Sequence, residues 1–498
     1  MSLKSIIAKP LAKYFRNKVL KESEEALYWQ QYWFKKIIET AAQTSFGKDH
    51  GFGEITTLTQ YAERVPVRDY EALRFYIDQV TEGKTDVLWP GKPLYFAKTS
   101  GTTSGVKYIP ISKESISFHI NSARNALFCY IAETGKADFV DGKLIFLSGS
   151  PVLTSKAGVH TGRLSGIVNH HVPAYLRKNQ MPSYATNCIE DWEQKVLAIT
   201  QETIHQNMAL ISGIPPWVQM YFDKIYEQSG KKVGEQFPNF NLFVYGGVNF
   251  EPYRDKIEAS IGRKVDTIET YPASEGFFAY QHVQDAKGLL LLPNNGIFYE
   301  FIKVEEFFTD KPRRYTLAEV ELEVNYALII TTNAGLYAYN IGDTIKFVSL
   351  APHLIKVTGR IKHFISAFGE HVIGEEVEFA LMQAVRKLGL EVIEFTVAPQ
   401  VNPPEGGLPY HEWLIAFENE DFDIANLEAH TDSLLQQKNI YYKDLVAGGI
   451  LRPLRITPIA KDGFISYMKS QGKLGGQNKV PRLSNDRSIA EALAPFKK

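Results

Sequence analysis

Residues Phe96 to Pro110 read Phe-Ala-Lys-Thr-Ser-Gly-Thr-Thr-Ser-Gly-Val-Lys-Tyr-Ile-Pro, and the nine from Thr99 to Lys107 carry five hydroxyl side chains and two glycines. The chemistry that suits this density is the binding of a polyphosphate. Backbone N–H groups near glycines form an anion-binding concavity, hydroxyls add donors, and Lys107 brings positive charge to the phosphates. Thr99, Ser100, Gly101, Thr102, Thr103, Gly105 and Lys107 are therefore the candidate phosphate ligands. A Ser/Thr/Gly surface turn has the same composition. Position separates the two: a β-like run precedes the loop and a helical pattern follows, as a sheet-mounted phosphate site requires. The spacing is not that of a Walker loop. Gly101 and Gly105 are four apart, Val106 intervenes before Lys107, and Tyr108 stands where Ser or Thr would bind magnesium, which disfavours P-loop kinase or GTPase chemistry.

The elements that must position this loop follow from periodicity. Helical spacing runs through Glu22 to Ala42, Asp69 to Val80, Lys113 to Glu133 and Cys188 to Gln206, alternating with β-like runs such as Lys143 to Leu147 and Asn241 to Tyr245. That alternation predicts an α/β domain. From about 288 to 350 consecutive β-rich segments with turn signals predict a mostly antiparallel, β-barrel-like subdomain. Beyond Thr358-Gly359-Arg360 come a strand-like Phe364 to Ala367, a helix over Glu375 to Leu388, strands near Phe395 to Ala398 and Trp413 to Phe417, and a further helix. This is the pattern of a small α+β domain. The expected fold class is thus α/β, with a large N-terminal domain over 1–358 and a C-terminal α+β domain over 359–498, joined by a tight hinge because no long linker is visible.

Bulk properties narrow the function classes. A chain of 498 residues exceeds what one core usually fills, and 44% hydrophobic, 22% charged and 12% aromatic residues are those of a globular protein. The net charge of -1, from 55 basic and 56 acidic residues, gives no global reason to expect nucleic acid as a partner. No apolar run approaches the ~20 residues of a transmembrane helix. Cys129 and Cys188 have neither metal-ligand spacing nor a disulfide framework, which points to a reducing, cytoplasmic home. The N-terminal segment carries Lys4, Lys9, Lys13, Arg16, Lys18 and Lys21 with no acid before Glu22. It reads as a helix packed on the domain surface, with contact to an anionic membrane as the alternative, and lacks the features of a signal peptide.

Three motifs carry a resemblance. Thr99-Ser100-Gly101-Thr102-Thr103-Ser104-Gly105-Val106-Lys107, Tyr271-Pro272-Ala273-Ser274-Glu275-Gly276 and Tyr339-Asn340-Ile341-Gly342-Asp343 are similar, in order and spacing, to the motifs of the GH3 auxin-responsive acyl acid amido synthetases and their bacterial relatives, within the adenylate-forming superfamily that includes acyl-CoA synthetases. Asn340 stands where that family has arginine. Gly359-Arg360-Ile361-Lys362 through Glu375-Glu376-Val377-Glu378 resembles the hinge and following helix of adenylating enzymes. Gln477-Asn478-Lys479-Val480-Pro481-Arg482 resembles the family's C-terminal element, so the likeness spans nearly the whole chain.

The resemblance implies an ATP-dependent ligase with Mg2+ that converts a carboxylic acid to acyl-AMP and pyrophosphate, then transfers the acyl group to an amino acid or amine. Positioning and charge neutralisation carry such a displacement. It makes Glu275 the magnesium ligand, since Mg2+ takes a carboxylate with phosphate oxygens and waters; a carboxylate at a helix N-terminus is the structural alternative. Asp343 becomes the acceptor for the ribose hydroxyls rather than an ordinary turn aspartate. Tyr245-Gly246-Gly247 lets backbone approach adenine, with Tyr271 stacking on it and Ser274 and Gly276 completing the site; a tight strand-to-loop turn explains the same glycines. Lys479 becomes the mobile lysine for the α-phosphate, and Arg360 steadies one orientation of a C-terminal domain that rotates between half-reactions. His371 stands near the family's second lysine. The acid pocket is expected around Phe118 to Cys129, Val159 to Tyr175 and Ile211 to Val218: Phe118, Phe128 and Trp217 for an apolar acid, Arg124 or Arg163 for a second carboxylate. Acid:CoA ligation on the same scaffold and a non-catalytic nucleotide-binding protein are the competing readings.

Overall fold

The basic N-terminal segment is a helix, α1 (Leu3–Glu24), that buries Ser5, Ala12, Val19 and Ser23, a spacing that puts one side of the helix against the protein. Helix α2 (Ala26–Ala41) buries Ala26, Gln30, Phe34, Ile37, Ile38 and Ala41. Within it, the Gln30 amide donates to the carbonyls of Pro293 and Ile297 and accepts the Tyr299 N–H. Helix α3 (Tyr70–Thr81) starts where the Asp69 carboxylate accepts the Ala72 N–H, and α4 (Lys113–Thr134) where Ser112 and Ser115 exchange hydroxyl-to-backbone bonds. Gly135, left-handed at φ 71°, ends α4. The computed structural model describes residues 3–100, 106–172, 177–247, 250–361, 370, 372–474, 479–484 and 486–498. The predicted strand over Phe364 to Ala367 lies outside them.

The strands are β1 (Tyr95–Ser100), β2 (Val106–Ile111), β3 (Lys143–Phe146), β4 (Thr154–Lys156), β5 (Val159–Gly162), β6 (Gln180–Met181), β7 (Met208–Ser212), β8 (Leu242–Gly246), β9 (Asp266–Ala273), β10 (Gly276–Tyr280), β11 (Leu289–Leu291), β12 (Ile297–Lys303), β13 (Asn325–Thr332), β14 (Tyr339–Leu350), β15 (His353–Arg360), β16 (Val392–Gln400), β17 (Tyr410–Phe417) and β18 (Arg455–Ile459). A four-stranded sheet runs β2-β1-β5-β4, and an eleven-stranded sheet runs β12-β13-β14-β15-β11-β10-β9-β8-β7-β3-β6. Strands β6, β3, β7, β8 and β9 are parallel neighbours, with crossover helices α5 (Trp192–Thr203), α6 (Pro215–Ser229) and α7 (Glu251–Ile261). The near-continuous burial of β7, from Met208 to Ile211, is what a strand covered on both faces requires.

The β-rich segment corrects one expectation. Its strands do not close into a barrel. Pairing of Ala279 with Leu291 and Tyr280 with Leu290 joins β11 to β10, so the antiparallel strands extend the parallel sheet and leave β12 and β6 as its edges among the described residues. The chain folds as two compact units, 1–248 with 257–356 and 249–256 with 357–498, so the division falls inside β15. The second unit has its own core: β16, β17 and β18 form a three-stranded sheet, with α8 (Gly374–Leu388) and α9 (Ile424–Lys438) packing around Phe395, Val397, Trp413, Ile415, Leu427 and Leu435.

Candidate active site

Strand register sets the phosphate loop. Thr99 pairs with Lys107 and Ser100 with Val106, so residues 101–105 connect a β-hairpin, and β2 leads on to α4 at Lys113, where the helix was expected. Gly101, Thr102, Thr103, Ser104 and Gly105 lie outside the described residues. Tyr70 supports the hairpin from α3: its hydroxyl accepts the Tyr108 N–H at 2.9 Å, and the Lys107 ammonium lies 5.4 Å from its ring centroid. Burial pushes the Tyr70 hydroxyl pKa upward, so it stays protonated. The Lys98 ammonium donates to the Thr154 hydroxyl at 3.0 Å, and that of Lys156 lies 4.0 Å from the Tyr108 ring centroid. Three lysines therefore stand on this small sheet, a field suited to phosphate. Tyr70 could not be chosen from sequence because it is local to nothing in the loop.

A second group gathers at the carboxyl end of β8 and along β9. Gly246 pairs with Thr270, and a Cβ on it would stand 2.3 Å from the Thr270 carbonyl oxygen, so this glycine is required by the neighbouring strand. The Thr270 hydroxyl donates to the Tyr245 carbonyl at 3.1 Å, and Gly247 is left-handed at φ 82°. Beside them the Tyr271 ring, 6% exposed, sets its edge against Phe278 with centroids 5.0 Å apart. Its hydroxyl donates to Asp343 Oδ2 at 2.7 Å.

That bond joins two motifs 72 residues apart in sequence. Strands β9 and β14 are four places apart in the sheet order, which in a flat sheet is about 19 Å at the usual spacing of about 4.8 Å, so the sheet curls to bring them together. A bulge presents the carboxylate. Ala327 pairs with Thr344 and Ile329 with Asn340, leaving Ile341, Gly342 and Asp343 opposite Leu328 alone. Gly342 takes φ 88°, and its N–H donates to the Asn340 side-chain oxygen at 2.9 Å. Asn340, which departs from the family pattern, thus fixes the bulge, while its own N–H donates to the Arg68 carbonyl.

Ser274 and Glu275 form the two-residue turn between β9 and β10, with Ala273 paired to Gly276. Glu275 is half-buried and lies in a hairpin, not at a helix N-terminus. Gly276 packs closely, since a Cβ there would stand 2.6 Å from Ile297 Cδ1. Among the described residues no cluster of three or more His, Cys, Asp or Glu could cage a metal ion. One carboxylate that leaves the remaining positions to phosphate oxygens and water is a donor set that fits Mg2+.

In the second unit Arg360 is exposed at the end of β15, and Lys479 is exposed three residues before Arg482. Arg482 is the anchor of its element. Its guanidinium donates to Glu378 (3.2 Å), to Glu394, to the Phe395 carbonyl (3.1 Å) and to the Tyr253 hydroxyl (2.6 Å). Burial opposes its charge, but Glu394, Tyr253 and Glu378 outweigh burial and raise its pKa. Hydrogen bonds from Thr396 to the Pro481 carbonyl and from the Val397 N–H to the Arg482 carbonyl lay the segment along β16. Asn478 and His371 lie outside the described residues; Glu370, next to His371, is fully buried against His411 at 2.8 Å.

Models of the GH3 family N-terminal domain, central domain and C-terminal domain match residues 15–183, 289–360 and 375–488. The chain belongs to the GH3 family. It is similar to jasmonoyl-L-amino acid synthetase JAR4 of Nicotiana attenuata, 22% identical over 505 residues that cover 86% of this chain and 84% of that protein. Among solved structures it is similar to GH3.15 acyl acid amido synthetase, with a TM-score of 0.80 at 15% identity over 97% of this chain and 96% of that one. It is also similar to 2-hydroxyisobutyryl-CoA ligase in the postadenylation state, with a TM-score of 0.57 at 12% identity over 96% and 90%. The fold is that of the adenylate-forming enzymes, and this GH3 chain is a ligase of the acid–amino acid class.

The side chains expected around an acid pocket have the following neighbours in this GH3 chain. Phe118 packs on Trp33, Phe128 stacks on Phe15 at 5.1 Å, and the Arg124 guanidinium lies 4.4 Å from the Phe15 ring centroid, so these α4 side chains serve the contact with α1 and α2. Trp217 is buried against Trp192 with centroids 5.0 Å apart. Arg163 is different. It is half-buried, desolvation lowers its pKa, and among the described residues no acid or acceptor pairs with its guanidinium. Its side chain crosses Gly149, where a Cβ would stand 2.7 Å from Arg163 Cδ, in the loop that leaves the carboxyl end of β3. Carboxyl ends of parallel strands are where open α/β sheets bind ligands.

Proposed function

We propose that the chain adenylates a carboxylic acid with ATP and passes the acyl group to an amino acid or amine. The acid's carboxylate oxygen attacks the α-phosphorus, forming the acyl–phosphate bond as the bond to pyrophosphate breaks. The amine nitrogen then attacks the acyl carbon, AMP leaves, and the amine proton goes to solvent. Thr99 to Lys107 would hold the phosphates, Tyr245-Gly246-Gly247 would border the adenine, and Asp343, held by Tyr271, would accept the ribose hydroxyls. Glu275 would hold Mg2+, whose charge neutralises the phosphate oxygens. Lys479 is assigned to the α-phosphate and Arg360 to the hinge, with the C-terminal domain taken as residues 359–498. Arg163 is assigned to a second polar group of the acid.

The observation that carries this reading is the 2.7 Å bond from Tyr271 to Asp343, which supports treating the second and third motifs as one nucleotide site beside Gly246. Amide synthesis is preferred to CoA ligation because JAR4 and GH3.15 bear amino acid and amido synthetase names. The test is ATP–pyrophosphate exchange across a panel of carboxylic acids, followed by amino acids, simple amines and CoA on the best acid. Amide formation is expected. Acid-dependent exchange whose product forms with CoA but with no amine would replace the amide reading by the thioester one, and absence of exchange with every acid would remove the adenylation reading.

A further inference from the structure

Two cations meet at the loop that leaves the carboxyl end of β3. The Lys195 side chain, on α5 and 2% exposed, donates from its ammonium to the Ser148 carbonyl at 2.9 Å and to the Asn187 carbonyl at 2.7 Å. At the next loop residue, a Cβ on Gly149 would stand 2.7 Å from Arg163 Cδ and 3.6 Å from both Arg163 Nε and Ser165 Oγ, so the guanidinium stem and that hydroxyl lie against the same point of the backbone. Among the described residues neither cation has a carboxylate partner, and the Ser165 hydroxyl is buried without a hydrogen-bond partner. Burial lowers the Lys195 ammonium to about 8, with Cys188 raising it and the Arg163 charge lowering it, so it stays mostly charged at neutral pH. Lys195 is tied to two carbonyls and is a fixed part of the wall, whereas Arg163 keeps its fork of donors for something else.

The position suits the acyl substrate. Phe146, Ser212 and Val244 are aligned across β3, β7 and β8, so Gly149 and Gly246 leave the sheet at the same edge. Strand β3 is two places from β8, about 10 Å at the usual spacing of about 4.8 Å. Arg163 therefore stands roughly the length of one small acid from the glycines proposed to border the nucleotide. A carboxylate matches what is offered: its two oxygens accept the parallel N–H bonds of a guanidinium, and the Ser165 hydroxyl can donate a further bond. A neutral hydroxyl or amide on the acid would leave two desolvated positive charges without an anion.

We infer that the acid substrate carries a second carboxylate, held by Arg163 and Ser165 in the positive field of Lys195. This names the class of acid and rests on the adenylation reading above. The test is acid-dependent pyrophosphate exchange with dicarboxylic acids of graded length, each compared with its monomethyl ester. The best diacid should exceed its monoester in kcat/KM by roughly tenfold or more. Arg163→Met should bring that ratio close to one, Arg163→Lys should restore part of it, and Ser165→Ala, which keeps the charge, should lower it about threefold. Should Arg163→Met alter the melting curve, the ratios of the other two variants decide. A ratio near one in the unaltered chain would overturn the inference. So would variants that lower diacid and monoester in proportion, since Arg163 would then serve the reacting carboxylate or the scaffold. If no acid of any class supports exchange, the adenylation reading fails, and calorimetric titration of the same acids decides the site: diacid binding weakened by Arg163→Met supports it, and equal or absent binding of diacid and monoester removes it.

Discussion

Tyr271→Phe removes one hydroxyl and keeps the ring. In the structure that hydroxyl donates to Asp343 Oδ2 at 2.7 Å from a ring 6% exposed, the short distance of a charge-assisted bond. Such bonds contribute about 1.5–3 kcal/mol, or roughly 10- to 150-fold in an equilibrium. Asp343 is half-buried, so water can take the vacated position and the loss should sit near the low end. We expect Tyr271→Phe to lower kcat/KM for ATP in acid-dependent pyrophosphate exchange by roughly tenfold. Asp343→Ala should cost more, because it removes the carboxylate proposed to accept the ribose hydroxyls. If Tyr271 acts only through Asp343, adding Tyr271→Phe to Asp343→Ala should change the rate by less than about threefold. Losses that multiply would refute the coupling and give Tyr271 a separate role, such as stacking on the base.

Gly246→Ala should lower the thermal midpoint and the exchange rate together, because the new Cβ would meet the Thr270 carbonyl at 2.3 Å and neither strand can yield; an unchanged melting curve would contradict the packing described. Burial pushes the Glu376 carboxyl from its ordinary 4.5 up to about 7, so its proton favours the folded state. That stabilisation is fully present below 4.5 and is lost as pH rises through 7, in total roughly 3 kcal/mol. Denaturation of Glu376→Gln from pH 5 to 8 should therefore show a shallower fall in stability than the unaltered chain, and parallel curves would count against it. Lys479→Ala should abolish exchange with its melting curve intact. Arg482→Met should destabilise by about 3–5 kcal/mol, since it leaves Glu378 and Glu394 without their cation, and equal melting of the two variants would contradict this division.

Much of the scaffold was legible because its signals are local. The cap at Ser112, the glycine at Gly135 and the period of the residues between them define α4 within a residue of the expected span. Strand β14 is longer than its β-like run, Thr344 to Val348, because a bulge interrupts the apolar alternation at Gly342, next to the candidate residue Asp343. The barrel-like expectation failed for a related reason: runs of antiparallel strands look alike whether they close or extend, and the pairing of Leu290 and Leu291 with β10 decides it. Motif residues were legible as types, but their partners were not. Nothing near Lys107 names Tyr70, and nothing near Arg482 names Glu378, Glu394 or Tyr253.

The same contrast explains how the C-terminal element divides its work. Arg482 is held by two carboxylates, a tyrosine hydroxyl and a carbonyl, so it cannot leave without exposing buried charge. The hydrogen bonds of Pro481 and Arg482 to β16 give this segment an extended path, along which side chains alternate in direction. Lys479 and Arg482 are three residues apart and so fall on opposite sides, which agrees with one being exposed and the other half-buried. A short spacing with a rigid anchor leaves the lysine a long flexible stem but a fixed root. That is the arrangement a positive charge needs if it is to reach a phosphate repeatedly with little loss of order each time.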